Sequence, residues 1–123
     1  LLDVLRGEGV GCIAFSPLRN GILTDKYLHG IPADSRAAHD PRYLKPSILT
    51  DELLEKVRAL NGIAMERGQS LAEMALSWVL RDDAVTSVLI GASKPEQIIE
   101  NCRIAAASAF SAEELAKIDA LTK

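Results

Sequence analysis

Two apolar segments that lie far apart in the chain constrain the fold most. Residues 10–15 read VGCIAF and residues 85–90 read VTSVLI, and each segment is followed by a small residue, Ser16 or Gly91. Apolar runs of this length without polar alternation are typical of strands that are buried on both faces of a parallel sheet. Because parallel strands need a long crossover connection, the helical patterns between and after them predict an α/β fold built from parallel β/α units.

Four helical patterns accompany the strands. Their apolar residues recur at the spacing of one helix face, and each pattern has a start signal, either a threonine or serine cap or a proline that the first turn tolerates. We therefore predict helices over about residues 51–67, 71–82 and 95–105 and a last helix after Ser111. The long stretch 16–49 is predicted to be a loop, and loops of that length in compact domains are usually functional or disordered.

The chain is predicted to be one domain over residues 1–123 and part of a larger structure. Its composition, 48% hydrophobic and 25% charged residues, suits a single modest core. Two strands do not complete a parallel sheet, which needs neighbouring strands and helices on both faces. The first residues read as the tail of a helix, and the chain begins with Leu1 rather than methionine. We therefore expect a fragment that closes a larger α/β fold.

Composition also argues against several classes of function. The net charge of −3 and the pI near 5.4 disfavour a nucleic-acid partner. No apolar run approaches the roughly 20 residues that a membrane-spanning helix needs. Cys12 and Cys102, like His29 and His39, lack the spacing of metal ligands. We therefore expect no metal site, no membrane partner, and two buried free thiols in a cytoplasmic protein.

The segment after the second strand is a candidate anion site. Functional groups in α/β folds lie at the carboxyl ends of parallel strands. Here Gly91 allows a ligand to approach the backbone, and the helix that begins near Ser93 offers free N–H groups, with Lys94 beside them. An alternative stays open, because Ser93 and Glu96 have capping-box spacing and Ser93 would then only cap the helix.

One face of the same helix carries Gln97, Glu100 and Asn101, at positions i, i+3 and i+4. An acceptor such as Glu100 beside the donor and acceptor of the Asn101 amide suits the polar edge of a base such as adenine. The alternative is an ordinary solvent-exposed face. The segment has neither a Walker nor a GxGxxG pattern, so the local signal for a nucleotide is weak.

The long loop adds further candidates. Lys26, Ser35 and Arg36 lie on a segment that contains glycines and a proline, so it could fold over a bound pyrophosphate and release it later. Phe15 ends the first strand, where its ring could stack on a flat ligand ring. The alternatives are a core aromatic for Phe15 and plain surface charge for Lys26 and Arg36.

Three separate stretches carry a family resemblance. GVGCIAFSPLRNGILTDKYLHGIPADSRA, SLAEMALSWVLRDD and VTSVLIGASKPEQIIEN resemble the C-terminal part of an aldo-keto reductase. The nearest branch holds the bacterial L-glyceraldehyde 3-phosphate reductases and the β subunits of voltage-gated potassium channels. The resemblance implies the seventh and eighth strands of a (β/α)₈ TIM barrel. It also implies NADPH-dependent reduction of aldehydes or ketones, with glyceraldehyde 3-phosphate and methylglyoxal as candidate substrates.

The resemblance also implies a role for each candidate residue. Phe15 would stack on the nicotinamide, and the adenine edge would be bound by Glu100 and Asn101. The diphosphate would be lined by Ser16, Pro17, Leu18, Asn20 and Lys26, with Ser35 and Arg36 in a closing strap. The adenosine 2′-phosphate and ribose would be surrounded by Gly91, Ser93 and Gln97.

The catalytic residues of the family lie on early strands, so the resemblance implies none in this chain. Tyr27 and Tyr43 match nothing catalytic, and we expect the fragment alone to be inactive. Two other functions stay open, a cofactor-sensing regulatory subunit of the channel β-subunit type and a self-contained small α/β module. The sequence is also compatible with a homo-oligomer.

Overall fold

The computed structural model describes residues 1–39, 42 and 44–123, and for Arg36 it describes the backbone alone. Its helices and strands are, in chain order, α1 Leu2–Gly7, β1 Cys12–Phe15, α2 Arg36–His39, α3 Asp51–Glu66, α4 Leu71–Val79, β2 Val85–Leu89, α5 Pro95–Cys102 and α6 Ala112–Thr122. Short 3₁₀ helices lie at Arg19–Gly21, Asp25–Tyr27, Pro46–Ile48 and Arg103–Ala106. The predicted order of strands and long helices is confirmed, while α4 and α5 each end before the predicted residue.

The two strands pair directly and in parallel, as predicted. The register places Phe15 beside Leu89, and a bulge lies between Cys12 and Ile13. At the bulge the hydroxyl of Thr86 accepts a hydrogen bond from the Cys12 N–H over 3.1 Å. Because the strands run in the same direction, their carboxyl ends meet at one edge of the sheet.

The prediction that both strands are buried on both faces is wrong for the described residues. Ile13, Phe15 and Leu89 are exposed by 63%, 79% and 59%. Alternate strand residues point to opposite faces, so these side chains share one face, and no described element covers it. The opposite face is half-buried at Ala14 and Val88, and β2 contacts α4.

The hydrophobic core lies between the long loop and the helices rather than at the sheet. The helices contribute apolar residues, mostly from α3: Leu54, Val57, Leu60, Ile63, Ala64, Leu71, Met74 and Ile118. The loop contributes as well, through Ile22, Tyr27, Ala37, Leu44 and Leu49. The described residues of the long loop therefore belong to the core, because these five apolar side chains are buried against α3 and its neighbours.

Three predicted helix caps are confirmed. The hydroxyl of Thr50 accepts a backbone N–H from the first turn of α3 over 3.2 Å. Ser70 and Glu73 exchange two hydrogen bonds of 3.2 and 2.7 Å at the start of α4. Ser111 and Glu114 do the same at the start of α6, over 3.1 and 2.6 Å. These bonds fix where the three helices begin, because they satisfy N–H groups that the helix itself leaves free.

A buried arginine connects the end of α3 to the segment before α6. The side chain of Arg67 is only 3% exposed, and its guanidinium forms an ion pair with Glu114 over 2.8 Å. It also donates to the side chain of Gln69 over 2.8 Å and to the carbonyl of Ser108 over 2.7 Å. Its flat face lies 3.9 Å from the ring centroid of Phe110. One side chain thus holds four parts of the chain in place.

The Glu114 carboxylate links the cap of α6 to this arginine. The Ser111 N–H is the main cause that lowers the pKa of Glu114, and the hydrogen bond and charge of Arg67 lower that pKa further. A pKa that is lower in the folded state stabilises the fold above the unfolded value, and this stabilisation is lost as the pH falls through the folded value. The link is therefore intact at neutral pH and weakens only in acid.

We expect Arg67→Met to lower the free energy of unfolding by about 2 kcal/mol, because it removes hydrogen bonds from a charged and buried donor. Urea unfolding of the chain, followed by circular dichroism, measures this. Lys56→Met is the matched control, since among the described residues Lys56 forms a single exposed ion pair, with Glu52 over 3.7 Å, a contact worth about 0.5 kcal/mol or less. Equal losses in the two variants would contradict a structural role for Arg67.

Candidate functional site

A cavity of about 600 Å³ lies at the carboxyl ends of the two strands. Its walls are the loop after β1, the segment from the end of β2 into one face of α5, and the start of α4. Ten of the thirteen predicted cofactor-binding residues line it: Ser16, Pro17, Leu18, Asn20, Lys26, Gly91, Ser93, Gln97, Glu100 and Asn101. The structure thus brings the two predicted strand-end segments together around one space, and their contact with a cofactor stays a prediction.

The wall after β1 has an unusual backbone. Ser16, Arg19 and Asn20 have φ angles of 55°, 47° and 58°, a left-handed conformation that residues other than glycine rarely adopt. Such conformations persist only where the surrounding structure imposes them, and they cluster at functional sites. Here the chain is held because Ile22 and Tyr27, a few residues further on, are almost fully buried in the core.

A small hydrogen-bonded turn positions the charged residues of the same wall. The hydroxyl of Thr24 donates to the carbonyl of Gly21 over 2.7 Å and accepts from the N–H of Lys26 over 3.2 Å. Asp25 and Lys26 therefore sit at the rim of the cavity on a short 3₁₀ helix with a defined start. The fixed backbone places a cation where an anionic ligand group could bind.

The opposite wall begins at the N-terminus of α5. The helix starts at Pro95 with Lys94 as its N-cap. The side-chain oxygen of Gln97 accepts hydrogen bonds from the Ser93 N–H over 2.8 Å, the Ser93 hydroxyl over 3.3 Å and the Lys94 N–H over 3.3 Å. The alternative in which Ser93 and Glu96 form a capping box is therefore wrong, because Gln97 caps this end and Ser93 is a donor to it.

One turn further along α5, a buried amide faces the cavity. Asn101 is only 6% exposed and lines the cavity. None of the described residues forms a hydrogen bond with its side chain. Its amide is not among the fully buried polar groups that lack a partner, so its polar atoms stay accessible from the cavity, where a ligand could bond to them. Glu100, half-buried beside it on the same wall, adds an acceptor.

Three predicted site residues are not among those that line the cavity: two lie away from it, and the side chain of the third is outside the described residues. Phe15 is 79% exposed on the open sheet face, so its alternative as a core aromatic is wrong. The side chain of Ser35 is fully buried away from the cavity, and its hydroxyl has no partner among the described residues. The side chain of Arg36 and the whole of Tyr43 lie outside the described residues. The roles predicted for these residues stay predictions.

The cavity also contains residues that the sequence did not indicate. They come from all three walls: Gly21, Thr24, Asp25, Tyr27, Ser70, Ala72, Leu89, Ile90 and Ala92. Leu89, Ile90 and Ala92 adjoin Gly91, so their place beside the predicted site was a usable signal. Ser70 and Ala72 reach it only because α4 packs beside α5, and nothing local in the sequence predicts that.

The expectations about metal ions, thiols and membrane helices can be compared with the described part of the chain. There, no group of three or more histidine, cysteine, aspartate or glutamate residues could hold a metal ion. Cys12 and Cys102 are free thiols, but Cys12 is half-buried and Cys102 is exposed, so the prediction of two buried thiols is wrong. Within the same residues, no helix has both the length and the apolar character needed to cross a membrane.

Comparisons with known proteins point to one family. A model described as the Aldo/keto reductase family matches residues 1–123. The chain is 56% identical over 122 residues to the L-glyceraldehyde 3-phosphate reductase of Escherichia coli (strain K12), covering 97% of this chain and 35% of that protein. It is 45% identical over 97 residues to a "Probable voltage-gated potassium channel subunit beta" of Oryza sativa subsp. japonica, covering 77% of this chain and 30% of that protein.

Solved structures agree with this result. The glycerol dehydrogenase AKR11B4 from Gluconobacter oxydans superposes with a TM-score of 0.74 at 25% identity, over 98% of this chain and 36% of that one. The holo form of aldo-keto reductase AKR11C1 from Bacillus halodurans gives a TM-score of 0.69 at 25% identity, over 99% and 37%. The chain spans about a third of the length of the curated relatives that it matches.

The left-handed backbone of the cavity wall can be tested at Arg19, whose side chain is exposed. We expect Arg19→Val to destabilise the chain by about 1–2 kcal/mol, because a β-branched residue tolerates positive φ poorly, while Arg19→Gly should cost less or stabilise. Thermal unfolding of both variants measures the difference. Lys45→Val is the control, since Lys45 is an exposed loop cation with an ordinary φ of −72°. If Arg19→Val lowers the unfolding temperature no more than Lys45→Val does, the backbone of this wall is not strained.

Proposed function

Since this chain belongs to the aldo/keto reductase family, we propose that it supplies the NADPH-binding part of an enzyme that reduces an aldehyde or a ketone to an alcohol. One observation carries the proposal: the nearly buried amide of Asn101 has no partner among the described residues and lines a cavity that joins both strand ends. A flat, polar ligand edge in that cavity would satisfy the amide. The cavity volume of about 600 Å³ is in the range of small-molecule and cofactor sites.

The α5 wall would bind the adenine end of the cofactor. The Glu100 carboxylate is an acceptor suited to the exocyclic amino group, and the Asn101 amide offers both a donor and an acceptor to the ring edge. Both residues line the cavity, so both groups are available to a ligand there. The bonds form in a partly buried site, where they contribute more than they would in water.

The wall after β1 would bind the diphosphate. Lys26 supplies a positive charge, and the turn at Thr24 holds its backbone in place. Ser16 and Asn20, which have positive φ angles, fix the backbone conformation along the cavity in the absence of a ligand. A wall that is already ordered binds a flexible dinucleotide at a lower entropic cost than a mobile loop does.

When bound, NADPH supplies the hydride for the carbonyl carbon. We assign the residues of this chain to binding and orientation of the cofactor, and none of them to protonation of the carbonyl oxygen. The name of the Escherichia coli relative at 56% identity supports glyceraldehyde 3-phosphate as the substrate. Methylglyoxal is a second candidate that only the family resemblance suggests.

A second candidate function is NADPH sensing by a regulatory subunit. The potassium channel β-subunit relative from rice, at 45% identity, favours it. The same cavity would serve both functions, since each begins with cofactor binding. The two functions differ in the rate of carbonyl reduction by the whole protein, which is high in a reductase and low in a sensor.

We expect Asn101→Ala to weaken NADPH binding by the chain about tenfold, because it removes the polar contacts of one buried amide. Isothermal titration calorimetry of the 123-residue chain measures the dissociation constant. Cys102→Ala is the matched control, since Cys102 is exposed on the same helix and does not line the cavity. A wild-type chain that binds no NADPH, or an Asn101→Ala variant that binds it normally, would refute the proposed site.

We expect the chain by itself to consume no NADPH with glyceraldehyde 3-phosphate or methylglyoxal, because none of its residues is assigned to proton transfer. Absorbance of the reduced nicotinamide follows the reaction. The binding titration on the same sample shows that the site is competent. Reduction at about 1 s⁻¹ or faster, an ordinary enzyme rate, would overturn the assignment of roles.

A further inference from the structure

An ion pair outside the cavity at the strand ends joins the start of α4 to the end of α5. Oε1 of Glu73 lies 3.8 Å from Nη1 of Arg103. Both residues line a second cavity of about 360 Å³, and no described residue lines both cavities. The side chain of Glu73 is only 9% exposed, whereas that of Arg103 is 69% exposed. The pair therefore consists of a nearly buried anion and a cation that reaches it from the surface.

Capping of α4 does not account for the negative charge of Glu73. Its other carboxylate oxygen accepts the Ser70 N–H over 2.7 Å and completes the capping box. A glutamine side chain caps a helix in the same way without a charge. Burying a carboxylate costs more free energy than burying an amide unless a cation compensates for the charge, and Arg103 supplies that cation. The charge of Glu73 is therefore explained by the contact between the two helices and not by the cap.

Each partner of the ion pair is bonded directly to residues that line the cavity at the strand ends. Glu73 exchanges two hydrogen bonds with Ser70, of 3.2 and 2.7 Å. The backbone N–H of Arg103 donates to the carbonyls of Glu100 and Asn101 at the end of α5. Ser70, Glu100 and Asn101 all line the cavity, and α4 contacts α5. The ion pair thus connects the two helix ends that form this part of the cavity wall.

We propose that Glu73 and Arg103 are positioning residues for the adenine end of the cofactor. This inference rests on the proposed function, since it concerns the wall assigned to adenine. The ion pair holds the end of α5 against the start of α4, so the polar groups of Glu100 and Asn101 keep a fixed place before a ligand binds. A prearranged site binds its ligand with a smaller loss of entropy. Neither partner of the pair lines that cavity, so the effect passes through the helix ends and not through contact with the ligand.

The test measures the affinity for adenosine, a neutral probe that lacks the phosphates of the cofactor, in NMR titrations of the 123-residue chain. Without its cation, the Glu73 carboxylate has to turn toward water, which loosens the contact between the helix ends. We therefore expect Arg103→Met to weaken adenosine binding about fivefold, which corresponds to about 1 kcal/mol of coupling between neighbouring residues. Arg103→Lys keeps the charge and should restore most of the affinity.

A second variant removes the charge from the other partner. Glu73→Gln keeps an acceptor for the cap of α4, so it should weaken adenosine binding by about the same factor as Arg103→Met. The double variant should bind adenosine no more weakly than either single variant, because all three lack the same interaction. Lys117→Met is the matched control, since it removes an exposed ion pair with Glu113 over 3.0 Å on α6, outside the cavity.

Inorganic pyrophosphate distinguishes positioning from a general loss of structure. Its proposed site is the wall after β1, which the ion pair does not touch, so its affinity should change less than twofold in every variant. Adenosine binding that is unchanged in both single variants, or that falls together with pyrophosphate binding, overturns the inference while the proposed function stands. A wild-type chain that binds NADPH but not adenosine has no prearranged adenine site and also overturns the inference alone. A wild-type chain that binds none of the three ligands overturns both.

Discussion

The site depends on the parallel pairing of two strands that are separated by most of the chain. Parallel pairing makes both strands end at the same edge, so the loop after Phe15 and the loop after Leu89 open onto one cavity. An antiparallel pair with the same residues would place those loops at opposite edges. The bulge beside Cys12, where Thr86 supplies the acceptor, belongs to the same pairing. The functional residues are thus brought together by strand direction rather than by closeness in sequence.

The site also requires the long loop, whose described residues are held in place by burial of their apolar side chains. Fixing the backbone costs about 1–2 kcal/mol per residue, so a loop of this length stays ordered only if it gains apolar contacts. Ile22, Tyr27, Leu44 and Leu49 supply them by packing into the core with α3. The cavity wall from Ser16 to Lys26 therefore rests on the same core as the helices.

The sequence predicted the parts of this structure that have local causes. The caps at Thr50, Ser70 and Ser111 follow from side chains that satisfy nearby N–H groups, and the parallel strands follow from apolar runs joined by helices. The two strands and their helices form the C-terminal part of an aldo-keto reductase (β/α)₈ barrel, as the family resemblance implied.

What the sequence could not predict depends on packing between distant segments. The start of α4 joins the cavity because that helix lies beside α5. One exception is local: the cap of α5 uses Gln97 and not Glu96, the alternative left open with Ser93, because glutamine as well as glutamate can reach back to the helix start. The burial of Ser35 likewise depends on how the loop folds onto the helices.

The uncovered face of the sheet affects how this chain behaves in concentrated solution. Each strand has one neighbour among the described residues, so each presents an outer row of backbone donors and acceptors beside apolar side chains such as Ile13 and Leu89. Edges of this kind recruit further extended chains, and a net charge of −3 gives only weak repulsion between copies. We therefore expect self-association of the isolated polypeptide, where it occurs, to begin at these edges rather than with unfolding of the helical core.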